Sequence, residues 1–82
     1  MKITRSEAYV INVLLGRSNG LSAEAIAKTI GWTLNHTYAV LAQLQKKGII
    51  KKYRSPHVRY GRYAYKLAIP YTAAKKLIVG RI

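Results

Sequence analysis

At Gly48 the apolar period of this chain changes, and that change restricts the fold more than any other feature. Before it, apolar residues recur at the 3.6-residue spacing of amphipathic helices; after it they alternate with polar ones, as in a half-buried strand. A chain that is helical first and hairpin-like second reads as α+β, with three N-terminal helices packed on a small ribbon.

Turn and cap residues divide the helical part. Thr4-Arg5-Ser6-Glu7 is a capping box, so a helix is expected over about 5–16, with Ala8, Ile11, Leu14 and Leu15 on its buried side and Gly16 closing it. Arg17-Ser18-Asn19-Gly20 is turn chemistry. Ser22 then caps a helix over 23–30, buried through Ala23, Ile26, Ala27 and Ile30 and stopped by Gly31. After only Gly31-Trp32-Thr33, with Thr33 as the cap, a third helix over 34–47 buries Thr37, Val40, Leu41 and Leu44. Asn35, Ala39, Ala42 and Lys46 fall on its opposite face, with Tyr38 and Gln43 on the flanks.

Beyond Gly48 two strands are expected, over 49–54 and 62–69, joined by a loop from Ser55 to Gly61. Tyr63, Tyr65, Leu67 and Ile69 alternate with Arg62, Ala64, Lys66 and Ala68, which assigns Tyr63 and Tyr65 to the core and leaves Tyr53 and Tyr60 as candidate contacts. Pro70 ends this strand, and a last helix is expected over 71–79. Its stripe of Tyr71, Ala74, Leu77 and Ile78 either covers the core or pairs with a second subunit.

Charge narrows the function. The 82 residues hold 15 Lys and Arg against 2 acids, a net charge of +13, and the pI is near 10.5. Lys46, Lys47, Lys51, Lys52, Arg54, Arg59, Arg62 and Lys66 fall within 46–66, a stretch without an acid. A solubilising face mixes signs, so this one points to a polyanionic partner. With Glu7, Glu24, His36 and His57 as the whole stock of acids and imidazoles, and no cysteine, an enzyme, a metal site or a bound cofactor is not expected. No run approaches the roughly 18 apolar residues of a membrane span. The chain is expected to lie in the cytoplasm, on nucleic acid, with no small-molecule substrate.

Two short helices joined by a three-residue turn and followed by a basic ribbon resemble the winged helix-turn-helix family. Leu21-Ser22-Ala23-Glu24-Ala25-Ile26-Ala27-Lys28 looks like its second helix, and Gly31-Trp32-Thr33 sits where its turn does. Leu41, Leu44 and Lys47-Gly48-Ile49-Ile50 match the end of its recognition helix and the entry to its wing. The likeness spans residues 4–69 and is to small MarR- and ArsR-type regulators, and to compact regulators of archaeal viruses and plasmids.

The resemblance implies a double-stranded DNA-binding regulator, most simply a homodimeric repressor acting by promoter occupancy. Its third helix would enter the major groove and its wing would lie on the backbone or in the minor groove. Base-facing candidates are then Asn35, His36, Tyr38, Ala39 and Ala42. Phosphate candidates are Thr33, Lys46, Lys51, Lys52, Arg54, His57, Arg59 and Arg62. Tyr71, Ala74, Leu77 and Ile78 would form the dimer seam. Unlike the family's usual recognition helix, this one has no Arg or Lys before Lys46, which argues against a bidentate guanine contact and for adenine readout by Asn35. The alternative is a structural RNA-binding protein of ribosomal type, which shares the fold and the extreme charge.

Overall fold

The structure, a computed structural model, describes residues 2–17, 19–54 and 63–79. In chain order these form α1 (Arg5–Leu14), α2 (Ala23–Ile30), α3 (Leu34–Lys46), β1 (Ile50–Arg54), β2 (Tyr63–Leu67) and α4 (Tyr71–Ile78). The expected α+β architecture of three helices, a two-stranded ribbon and a last helix is the one found.

Each of the first three helices starts where a hydroxyl can take an orphan amide. The Glu7 N–H donates to Thr4 Oγ1 at 3.2 Å and the Thr4 N–H donates back to Glu7 Oε1 at 2.7 Å, a complete capping box. Ser22 Oγ accepts from the Ala25 N–H, and Thr33 Oγ1 from the His36 N–H. α1 is shorter than expected at its C-terminus. Leu15 turns to an extended conformation so that its side chain packs on the core, and Gly16 takes the positive φ of the following turn.

The core gathers Ala8, Val10, Ile11 and Leu14 of α1, Ile26 of α2, Val40, Leu41 and Leu44 of α3, and Ile49, Ile50 and Tyr65 of the ribbon. Thr37 sits among them, its hydroxyl donating to the Thr33 carbonyl at 2.9 Å, so a polar side chain is buried at little cost. α4 lays Ala74 and Ile78 on this core, packed against α1. Its apolar stripe is therefore largely used within the chain. Leu77 is half-buried, and Tyr71 is 55% exposed.

β1 and β2 are antiparallel, with Ile50 opposite Leu67, Lys52 opposite Tyr65 and Arg54 opposite Tyr63. The other edge of β2 is taken by Leu21, whose N–H and carbonyl bond the Tyr65 carbonyl and N–H at 3.0 and 2.7 Å. Gly20 makes this approach possible: its φ is +75°, and a Cβ there would lie 2.6 Å from the Tyr65 carbonyl oxygen.

The ribbon departs from the expected alternation. Tyr65 is buried as expected, but Tyr63 is 46% exposed and Ala64 is fully buried. Tyr63 shares the face of Tyr65, yet it pairs with Arg54 at the end of the ribbon farthest from Ile50 and Leu67, where the face has run past the helices that cover it. Ala64 lies on the other face opposite Tyr53, whose hydroxyl donates to the Asn19 carbonyl.

Among the described residues, an ion pair between a buried acid and a partly exposed lysine joins the ends of the helical layer. Glu7 is fully buried, and Lys47, the C-cap residue of α3, donates to its Oε1 at 2.7 Å and to the Lys2 carbonyl at 3.0 Å. Burial pushes the Glu7 carboxyl up, but the Lys47 hydrogen bond, the Thr4 amide and the Lys47 charge together hold it below its ordinary value.

Candidate nucleic-acid interface

α3 presents its expected outward face without obstruction. Asn35, His36, Tyr38, Ala39, Ala42 and Lys46 are all exposed, while Thr37, Val40, Leu41 and Leu44 anchor the opposite side. This follows from 3.6-residue geometry: a helix buried through 37, 40, 41 and 44 must turn 35, 39, 42 and 46 to solvent. The stripe is neutral until Lys46. A helix built this way can offer the Asn35 amide, the His36 imidazole, the Tyr38 phenol and two methyl groups to a base edge, but no guanidinium.

Two of these side chains are held by neighbours that the sequence did not disclose. The His36 ring stands edge-on to Trp32, with ring centroids 4.5 Å apart and planes at 74°, and Trp32 in turn meets Tyr9 of α1 edge-on at 6.4 Å. Trp32 is half-buried against the core, in keeping with a packing role. Thr33, a phosphate candidate, is exposed but uses its hydroxyl on the His36 amide. Tyr38 is 43% exposed. Partial burial and then the Glu24 carboxylate of α2 raise its phenol above the ordinary range. Burial, Tyr38 and Glu24 do the same to Tyr65.

The ribbon supplies the charge that α3 lacks. Lys51, Lys52 and Arg54 are exposed, but the register separates them: Lys52 and Arg54 share the face of Tyr65 and Tyr63, whereas Lys51 lies on the other face with Lys66 and Tyr53. Lys52 Nζ rests 4.5 Å from the centre of the Tyr63 ring, and Lys66 Nζ lies 5.0 Å from that of Tyr53. His57, Arg59 and Arg62, with Tyr60, lie outside the described residues. Tyr53, expected as a contact, is instead half-buried with its hydroxyl spent on the Asn19 carbonyl. Tyr63, expected in the core, is the exposed tyrosine of the ribbon.

Among the described residues there is no group of three or more His, Asp and Glu arranged to hold a metal ion. No helix among them is long and apolar enough to cross a membrane.

A helix pair with a short turn, a third helix free on one side and a hairpin beside it make a winged helix-turn-helix fold, in the form seen in MarR-type regulators. No family model matches the chain, and neither does any curated protein. Solved structures do. S. aureus MepR bound to ethidium bromide is 25% identical with a TM-score of 0.73, over 96% of this chain and 54% of that one. The PcaV transcriptional regulator of Streptomyces coelicolor, in complex with its natural ligand, is 20% identical with a TM-score of 0.79, over 98% of this chain and 55% of that one. A MepR mutant bound to an oligodeoxyribonucleotide is 24% identical with a TM-score of 0.75, over 96% of this chain and 55% of that one. The chain thus spans about half the length of the proteins it resembles.

Proposed function

We propose that this chain is a DNA-binding transcription regulator that seats α3 in the major groove by its N-terminal half and lays its ribbon along the flanking backbone or minor groove. The observation that carries the reading is the junction of an exposed, uncharged α3 face with a cationic ribbon, on a fold shared with a protein solved on an oligodeoxyribonucleotide. Asn35 pairs with adenine, and Ala39 and Ala42 lie against thymine methyls. Lys46, Lys52 and Arg54, with Arg59 and Arg62 outside the described residues, neutralise phosphates, and His36 and His57 make polar contacts at the same surface. Regulation is by occupancy: the protein represses by excluding other factors from a promoter.

The repressor acts as a homodimer on half-sites about 10 base pairs apart. Because Ala74 and Ile78 are spent on the chain's own core, the seam uses the far end of α4, at the exposed Val79 that follows it, with Leu77 at its edge.

Fluorescence anisotropy against a random duplex, an A·T-rich duplex and a folded RNA, each over a salt series, tests the reading. Duplex DNA is expected to bind best, with a log–log salt slope of about −4.5 to −7 for five to eight neutralised phosphates. A preference among DNA sequences should survive high salt. Tighter binding to the folded RNA would favour a structural RNA-binding role, and a collapse of all ligands together would remove α3 as a reader.

A further inference from the structure

The cations on the reading side do not exhaust the positive charge of the described residues. On the other face of the sheet Lys51 and Lys66 are Cα partners. Together with Arg17 they line an open cavity of about 420 Å³ at the end of α1, the base of the ribbon and the start of α4. Leu14, Leu67, Ile69 and Tyr71 contribute to its walls, and no residue of α3 does. Both acids of the chain are engaged elsewhere, Glu7 with Lys47 and Glu24 beside Tyr38. Lys75 and Lys76, exposed on α4, add to the same unbalanced charge, the former 5.8 Å from the centre of the Tyr71 ring.

A duplex seated on α3 and the Lys52 face of the ribbon leaves these groups without a counter-charge. We propose that this outer side is a second duplex-binding surface, so that one protomer holds two DNA segments, one on α3 and the wing and one across Arg17, Lys51 and Lys66. The inference rests on the duplex-binding reading above. Its chemistry is that of the phosphodiester backbone, which carries one charge per about 1.7 Å of duplex axis and is the densest polyanion within reach of a DNA-bound protein. Lys66 is placed for such a contact: its ammonium group lies over the Tyr53 ring, beside the cavity it lines with Arg17 and Lys51. Backbone contact of this kind carries no sequence information, so the second segment need not resemble the first.

A bridging experiment tests this. One duplex is immobilised on beads, a fluorescent duplex of unrelated sequence is added with the full chain, and the retained fluorescence is measured beside single-duplex anisotropy. The wild type is expected to retain the second duplex. Arg17→Gln with Lys66→Gln should keep single-duplex affinity within about threefold and lose about tenfold in retention, because only the outer contacts are weakened. Arg17→Gln alone, at an exposed position, should show an intermediate loss and excludes a folding defect as the cause. A wild type that binds one duplex but retains no second overturns the inference and leaves the cavity to a small organic anion or to solvent. Undiminished retention by the double variant also overturns it, by assigning the bridge to two α3 helices of a dimer. A wild type that binds no duplex at all overturns the duplex reading itself, and this inference with it.

Discussion

The outward face of α3 and the ribbon beside it are neighbours built on opposite principles. From Asn35 to Ala42 the helix presents an amide, an imidazole, a phenol and two methyl groups without a formal charge. The ribbon presents a cation at every exposed position of β1. Hydrogen bonds and methyl contacts at base edges discriminate between sequences, whereas cations on phosphates add affinity and fix register without doing so. On the proposed reading the two roles are divided between two elements, so they can be lost separately.

The comparison holds only while both elements stay on one frame, and the largest effects are expected there. Leu41→Ala empties the core beneath α3 and should cost about 2–5 kcal/mol, measured by urea denaturation. DNA binding should be lost with the fold. Gly20→Val should be similarly damaging, since a Cβ must meet the Tyr65 carbonyl and the residue must keep a positive φ. An unchanged denaturation midpoint would show that Leu21 is not needed to hold β2.

A smaller effect is expected at the Glu7–Lys47 pair, which ties the end of α3 to the start of α1. Lys47→Met leaves a buried carboxylate supported by the Thr4 amide alone and should cost about 1–3 kcal/mol. Because the folded carboxyl lies below its ordinary value of 4.5, its contribution is fully present above that pH and is lost as pH falls through the lower, folded value. Acid titration of the wild type should therefore show a loss of stability below about pH 4.5 that Glu7→Gln removes. A parallel pH profile for the two proteins would deny the pair this role.

On the two faces themselves, Asn35→Ala should reduce discrimination at one base pair by about 1–3 kcal/mol while the salt slope stays the same. Equal loss on every sequence would move Asn35 to the backbone-positioning side of the comparison. The smallest effect is expected from Lys52→Met or Arg54→Met, each weakening all duplexes alike and lowering the salt slope by about one. A change in sequence preference from either would break the division of labour.

Much of the helical layer was legible because its signals are local. A capping box, two hydroxyl caps and short glycine-punctuated turns act within three or four residues, and the stripe 37, 40, 41, 44 leaves only the opposite face of α3 exposed. The ribbon was less legible. Alternation correctly placed Tyr65 inside, but it has no means of registering where the body of the protein ends, so it placed Tyr63 inside as well. Ala64 is buried because Tyr53 lies opposite it and the Asn19–Leu21 segment runs beside the ribbon, where Asn19 meets Tyr53 and Leu21 meets Tyr65 across more than thirty positions of chain. Packing between helices likewise brings Glu24 to Tyr38 and Tyr9 to Trp32, pairings that no local pattern contains.

What the sequence determined by itself is the order of elements, the exposed identity of α3 and the concentration of cations after residue 45, because period, caps and charge are properties of neighbours in the chain. Tertiary structure alone decided which cations share a face, that Lys51 and Lys66 part from Lys52 and Arg54, and that α4 spends its apolar stripe on α1. Strand register and helix docking are settled by which distant surfaces exclude water together, and no local pattern contains that information.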